Sequence, residues 1–218
     1  MPEEAIQHAD AVCVGDAEPN VPRMMEDLAA GRLGGLYASE PAPLANLPIP
    51  RRDLSRKKDY APVDVAQATR GCSHRCSFCS IAAFHMHQFR TRPVAEVIEE
   101  IKDLGHYILF MDDSLTANRD YALELFSQMV PLGKRWFSQC GIGIAQDKEL
   151  LDLATRSGCR GLFIGFESLS EQGLRSCKKH ANLGKDYVSA VRELHAHGIA
   201  VTAAFVFGGG HDAQGAGD

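Results

Sequence analysis

The sequence predicts an α/β fold with about five parallel strands joined by helices. Five apolar, strand-like runs follow residue 62, and segments with helical periodicity separate them. Repeated strand, helix, strand order is typical of parallel sheets with right-handed helical crossovers. The predicted strands are residues 63–70, 107–113, 135–143, 161–168 and 199–208.

Four segments between these strands carry apolar side chains at three- and four-residue intervals, which indicates amphipathic helices. In the first segment Pro93 stands in the first turn, where proline is tolerated, and Gly105 is a stop signal. The repeating apolar positions are Val94, Val97, Ile98, Ile101 and Leu104, then Ala122, Leu125, Phe126, Met129 and Val130, then Leu150, Leu151 and Leu153, and finally Val188, Val191 and Leu194.

The first 62 residues have a different texture. Residues 1–38 contain a buried-strand pattern at 9–15 and an amphipathic helix pattern at 21–31, so they predict a small α/β unit. Residues 39–62 predict a linker, since prolines at 41, 43, 48 and 50 disfavour regular structure. The charge run 51–59 is most simply a solvated surface, with a polyanion site as the alternative. The remaining span, 63–218, is the predicted core.

Composition limits the classes of partner. The 218 residues carry a formal net charge of -5, which gives no electrostatic preference for nucleic acid or for an anionic membrane. The start of the chain lacks a signal-peptide pattern, and no apolar run reaches the ~18 residues of a membrane span. These features predict a cytoplasmic protein without a membrane span and without a nucleic-acid partner.

Three of the seven cysteines stand in the segment RGCSHRCSFCS, residues 70–80, at the spacing C-x3-C-x2-C. In a reducing compartment, clustered cysteines are more often metal ligands or catalytic groups than disulfides. A zinc site needs a fourth ligand, which His74, His85 or His87 could supply. Three thiolates on a 4Fe-4S cluster would instead leave one iron open for substrate. The other four cysteines, Cys13, Cys140, Cys159 and Cys177, are predicted to be small buried residues. An auxiliary cluster on Cys159 and Cys177 is the alternative.

Polar or glycine residues lie at or near the end of each predicted strand, where parallel α/β folds carry their reactive groups. We therefore expect these side chains to meet at one edge of the sheet, although helix capping is the simpler alternative for the acidic ones. In strand order they are the three cysteines, then Asp112, Asp113 and Ser114, then Gln139, then Glu167 and Ser168, then Gly208–Gly210.

The C-x3-C-x2-C motif, with the aromatic Phe78 before its last cysteine and a strand before its first, resembles the radical S-adenosylmethionine (SAM) superfamily. The resemblance implies a partial (β/α) TIM-like barrel and an enzyme. It implies that Cys72, Cys76 and Cys79 hold a 4Fe-4S cluster whose fourth iron is chelated by SAM. In that family the reduced cluster cleaves SAM to a 5'-deoxyadenosyl radical, and Phe78 would pack near the adenine.

The same resemblance implies further cofactor contacts. Asp112 and Asp113 occupy the place of a segment that binds the SAM amino group, and Gln139 that of a ribose contact. Glu167 or Ser168 would reach the ribose or the amino acid portion. An unknown small-molecule substrate and an electron donor such as flavodoxin or ferredoxin would be the partners.

Residues 1–60 resemble the segment that joins a Rossmann-like cobalamin-binding domain to the barrel in the cobalamin-linked branch of the superfamily. Residues 1–38 would then be a remnant of that domain, and the core would be cut after its fifth strand. Cobalamin is expected in full-length relatives, with methyl transfer as one reaction, but not in this chain. The alternative function is a non-catalytic zinc-stabilised binding module or an inactive fragment.

Overall fold

The structure is a computed structural model that describes residues 1–54 and 61–208. Most of the charge run 51–59 and the last two glycines of the run 208–210 lie outside the described residues, as does the predicted cut after the fifth strand.

The N-terminal unit is a strand, helix, strand arrangement. After a first short helix, two strands pair in parallel over four residues each, from the pair of residues 11 and 35 to the pair of residues 14 and 38. The predicted strand and helix are both present, and the second strand is an addition. The elements are α1 (Pro2–Ala5), β1 (Ala11–Val14), α2 (Ala17–Ala29) and β2 (Gly35–Ala38).

The main sheet has five strands, all parallel, and their order across the sheet is the same as their order along the chain. The predicted five-stranded parallel α/β fold is therefore confirmed. The strands, in order across the sheet, are β3 (Asp64–Ala66), β6 (Tyr107–Phe110), β7 (Arg135–Cys140), β8 (Cys159–Glu167) and β9 (Ala200–Phe205).

Helices connect these strands, and the four predicted ones are all present. They are α4 (Val94–Lys102), α5 (Arg119–Met129), α6 (Lys148–Ser157) and α8 (Tyr187–Ala196), and two shorter helices are α3 (Ser80–Phe84) and α7 (Glu171–Ser176). Short 3-10 helices among the described residues are Arg52–Leu54, Val130–Leu132, Ile142–Gln146 and His180–Asn182.

The first predicted strand, 63–70, was too long. β3 ends at Ala66, and the chain leaves the sheet to form β4 (Thr69–Arg70), which pairs antiparallel with β5 (Arg90–Thr91). The cause is Asp112, whose carboxylate accepts hydrogen bonds from the backbone amides of Ala68 and Thr69 and so replaces sheet pairing there. The third strand was also too long, since residues 142–146 form a 3-10 helix.

The hydrophobic core lies between one face of the sheet and the helices. Strand side chains alternate between faces, so Leu162, Ile164 and Phe166 of β8 are buried while Phe163 is exposed. Trp136 of β7 is fully buried and stacks on Phe126 of α5 with ring centroids 4.9 Å apart. Burying each such side chain contributes about 1.5–3 kcal/mol. This core holds the C-terminal ends of the strands together at one rim.

Candidate active site

A cavity of about 220 Å³ opens at the C-terminal ends of the strands. This is where ligands bind in parallel α/β folds. The residues that line it come from the ends of β6, β7 and β8 and from the loops beside them: Cys72, His74, Cys76, Phe78, Cys79, Ile81, Ala82, Asp113, Ser114, Gln139, Cys140, Gly141, Phe163, Gly165, Glu167 and Lys179.

All three cysteines of the motif line this cavity, on the segment between β4 and β5, which we term the cysteine loop (residues 71–89). Gly71 begins the loop with φ +89°, and a Cβ there would lie 2.1 Å from the carbonyl oxygen of Gln88. Only glycine permits that close approach and that backbone conformation. Cys79 is the N-cap of α3, and Phe78 is 47% exposed and lines the cavity.

Partial burial affects the acidity of two of these thiols. Burial raises the pKa of Cys72 and of Cys76, and the nearby Lys179 ammonium opposes the rise. Both groups are therefore protonated thiols at neutral pH, and a metal that binds them must displace the protons. Three thiols that line one cavity can bind three irons of a 4Fe-4S cluster and leave the fourth iron open.

The two aspartates after β6 have different surroundings. Asp113 lines the cavity, and its Oδ2 accepts a hydrogen bond of 2.8 Å from the amide of Gly71. Asp112 is fully buried outside the cavity lining, and its Oδ1 accepts hydrogen bonds from the Thr69 amide and hydroxyl. Burial raises the pKa of Asp112 to about 6, although the hydrogen bonds from Thr69 and Ala68 lower it. Asp112 therefore shapes the start of the cysteine loop, and Asp113 is the carboxylate available to a ligand.

Glu167, the last residue of β8, has a strained backbone. Its φ is +65°, in the left-handed region. A non-glycine residue held in that conformation costs roughly 1–3 kcal/mol, and such residues cluster at functional sites. The pairing with β9 shifts register at this point, as in a β-bulge, which turns the side chain back along the strand. A Cβ on Gly165 would lie 2.1 Å from Glu167 Oε1, so the carboxylate lies directly over that glycine.

Lys179 is a cavity residue that the sequence analysis missed. Its Nζ donates a hydrogen bond of 3.1 Å to Glu167 Oε1, and the pair is largely buried. Lys179 follows α7, at the edge of the cavity beside the cysteine loop. The sequence offered only the pair Lys178–Lys179 after a short helix, which is no more specific than a surface charge.

The other predicted site residues divide into two groups. Gln139 lines the cavity, at the end of β7. Ser168 is half-buried outside the lining, and its hydroxyl accepts a hydrogen bond from the amide of Ser170.

Among the other cysteines Cys140 and Cys159 are buried, whereas Cys13 and Cys177 are half-buried. Cys159 begins β8, while the carbonyl of Cys177 accepts a hydrogen bond from the cysteine-loop amide of Ser77.

The histidines proposed as zinc ligands have different surroundings. His74 lines the cavity, His85 is buried beside Arg90 and Asp113, and His87 is exposed. Within residues 1–54 and 61–208, no three His, Cys, Asp or Glu side chains are grouped as ligands of a single metal ion. None of the helices in that part of the chain is long and apolar enough to cross a membrane.

Comparison with known proteins agrees with this geometry. Residues 67–214 match the sequence profile of the radical SAM superfamily, and the chain belongs to that superfamily. The match begins just before the cysteine loop and covers all the strands after it.

Similar proteins include methyltransferases. The chain is 31% identical over 98% of its length to the bacteriochlorophyllide d C-12(1)-methyltransferase of Chlorobaculum tepidum, and covers 50% of that protein. It is 28% identical over 82% of its length to the hopanoid C-3 methylase of Methylococcus capsulatus, and covers 39% of that one. The chain thus spans at most about half the length of these relatives.

Among solved structures, the fold is similar to that of the radical SAM methyltransferase TsrM from Kitasatospora setae, with cobalamin and a [4Fe-4S] cluster bound. The TM-score is 0.60 at 20% identity, over 67% of this chain and 31% of that one. This similarity supports the fold, a TIM-like α/β arrangement of which the described residues form five parallel strands.

Proposed function

We propose that this chain is the radical SAM core of a methyltransferase that acts on a small-molecule substrate. The observation that carries the proposal is the cavity itself, where the three cysteines of the motif meet Phe78, Asp113, Gln139 and Glu167. Sequence similarity to methyltransferases supports the reaction class, although those proteins are about twice as long.

In this proposal Cys72, Cys76 and Cys79 hold a 4Fe-4S cluster through their thiolates. The thiols fit a 4Fe-4S cluster because all three line one cavity and none of them forms a disulfide. When bound, the cluster supplies the electron that cleaves SAM. A small donor protein such as flavodoxin or ferredoxin would reduce the cluster. The compartment would be a reducing one such as the cytoplasm, where thiols stay free.

The chain's own residues would bind and orient SAM. Asp113 is the cavity carboxylate that can accept from the SAM ammonium, since Asp112 is occupied with backbone amides. The Lys179 ammonium would pair with the carboxylate of SAM. Its partner Glu167 would accept hydrogen bonds from the ribose hydroxyls or the ammonium group of SAM. Gln139 would contact the ribose and Phe78 the adenine, while Ser168 is less suitably placed because it lies outside the lining.

Residues 1–38 are proposed to correspond to part of a cobalamin-binding-type domain, residues 39–62 to the linker and residues 63–218 to the barrel. The parallel pair β1 and β2 with α2 supports the first assignment. No described residue is proposed as a cobalamin ligand.

Anaerobic reconstitution with iron and sulfide tests the proposal. The wild-type chain should take up four irons, absorb in the visible range and, once reduced, cleave SAM to 5'-deoxyadenosine and methionine. Cys76→Ala should lose nearly all bound iron, because one of three cluster thiolates is missing. Cys13→Ala is the matched control, since Cys13 is half-buried on β1, away from the cavity, and it should keep wild-type iron content.

Colourless protein with one zinc per chain would contradict the proposal and support the binding-module alternative. Equal iron contents in Cys76→Ala and wild type would contradict the ligand assignment.

A further inference from the structure

The cysteine loop is closed at its base by a short antiparallel ladder. In this ladder Arg70, the last residue before the loop, pairs directly with Arg90, the first residue after it. Two arginines opposite each other on antiparallel strands repel, so the ladder needs negative charge beside it.

That charge comes from the N-terminal unit. Asp16 lies 3.1 Å from Arg70 Nη1 and 2.5 Å from Arg90 Nη1, and it therefore contacts both ends of the loop. Glu18 adds hydrogen bonds of 2.6 and 3.0 Å from Arg70. Asp16 is only 7% exposed, so these are contacts screened little by solvent.

The position of Asp16 in its own helix is informative. It is the N-cap of α2, where an aspartate usually accepts from the helix amides, yet it makes no side-chain cap hydrogen bond. Its carboxylate accepts instead from the two arginines and from the amide of Ala42. Burial alone would raise the pKa of Asp16, but Arg90 and Ala42 bring it down to about 2, so it is ionised at any physiological pH.

A chain of contacts runs from this ladder to the cavity. Arg90 Nη2 lies 3.3 Å from His85 Nδ1, and His85 Nε2 lies 3.4 Å from Asp113 Oδ2. His85 is buried at 8% exposure, so it has little freedom to turn away. Asp113 in turn accepts from the amide of Gly71, the first residue of the loop.

We propose that Asp16 is a positioning residue for the active site: it clamps the base of the cysteine loop through Arg70 and Arg90, and it holds Asp113 in place through Arg90 and His85. This inference rests on the proposed function only for its second half, which concerns SAM. The clamp itself is a property of the protein before any cofactor binds.

Hydrogen exchange of the apo protein tests the clamp without a cluster or SAM. In Asp16→Asn the amides of residues 71–89 should exchange at least about tenfold faster than in wild type, because breaking a buried ion pair promotes local opening. Glu18→Gln, which leaves the contacts of Asp16 intact, should show a smaller increase. Asp27→Asn is the matched control, since Asp27 lies on the same helix but pairs with Arg32 and Tyr37, and it should leave the loop unchanged.

Equal loop exchange in Asp16→Asn and wild type would overturn the clamp, as would an equal increase in Asp27→Asn. If Asp16→Asn is globally unfolded by circular dichroism, the Glu18→Gln result decides in its place. The clamp then stands only if exchange speeds up in residues 71–89 and not across α4 to α6.

SAM affinity of the reconstituted protein tests the link to Asp113. His85→Gln should weaken SAM binding about five- to tenfold with wild-type iron content, and adding Asp16→Asn to it should weaken binding by a smaller factor than Asp16→Asn does alone, because residues in one network are not additive. Fully additive effects would overturn the link. Failure of the wild type to bind SAM would count against the proposed function, while the exchange result for the apo protein would remain decisive for the clamp.

Discussion

Glycines in the two halves of β8 make room for side chains of different kinds. Near its N-terminal end, a Cβ on Gly161 would lie 2.7 Å from the ring of Phe137, an apolar contact between neighbouring strands. Near its C-terminal end, a Cβ on Gly165 would lie 2.1 Å from the carboxylate of Glu167. The first glycine serves packing and the second serves a charged group in the cavity, so one residue type in one strand has a structural role and a functional role.

The largest expected effect is that of Gly165→Ala on SAM binding. The new methyl group would push the Glu167 carboxylate off the cavity wall and disturb its pair with Lys179 Nζ, which lies 3.1 Å from the same Cβ position. We expect SAM affinity to fall by about 10–100-fold, in line with the cost of misplacing a site group by about 1 Å. Equilibrium dialysis with reconstituted protein measures this. Because the displaced group is the end of a flexible side chain, stability should change by less than about 1 kcal/mol.

Gly161→Ala should behave in the opposite way. Its methyl group meets an aromatic ring held between strands, and overpacking of this kind costs about 1–3 kcal/mol. Denaturant unfolding should show that loss, while SAM affinity stays within about twofold of wild type. If Gly161→Ala weakened SAM binding as much as Gly165→Ala, the distinction between the two halves of β8 would be lost.

The smallest effect is expected just before β8. Trp136 Nε1 donates a hydrogen bond of 3.1 Å to Ser157 Oγ, and both residues are buried. Ser157→Ala leaves the indole N–H without a partner and should lower the free energy of unfolding by about 1–2 kcal/mol. Thermal unfolding of the apo protein measures the loss, and unchanged iron uptake would confirm that this end of the strand is remote from the site.

The strands, the helices and the cysteine motif could be predicted from the sequence, because each depends on a local pattern of residues. The short apolar runs of the strands and the three- and four-residue apolar periods of α4 predict the sheet and its helices, because apolar side chains need one buried face. The three cysteines were singled out by their short spacing, and Phe78 by the family resemblance that this motif carries. Strand boundaries were less exact, because the end of β3 is set by a carboxylate more than forty residues away.

Contacts between distant residues were not accessible to the same reasoning. Nothing in the dipeptide Asp112–Asp113 distinguishes the buried carboxylate from the one in the cavity, since the choice depends on the amides of residues 68 and 69. Lys179 is brought to Glu167 by the path of α7, and Asp16 reaches Arg90 across 74 positions of sequence. A single sequence carries no pattern that reports such pairs.

The consecutive order of the five strands also bears on how the molecule forms. Each strand lies beside its predecessor, so β6 can add to β3, β7 to β6, and so on through β9 as the chain is synthesised. Pairings of this kind keep loop closures short, which favours fast folding. The contacts of Asp16 with Arg70 and Arg90 are different, because both arginines must emerge before the two contacts can form together. We therefore expect the cysteine loop to become ordered only when the N-terminal unit docks on β4 and β5, a step separate from the growth of the sheet.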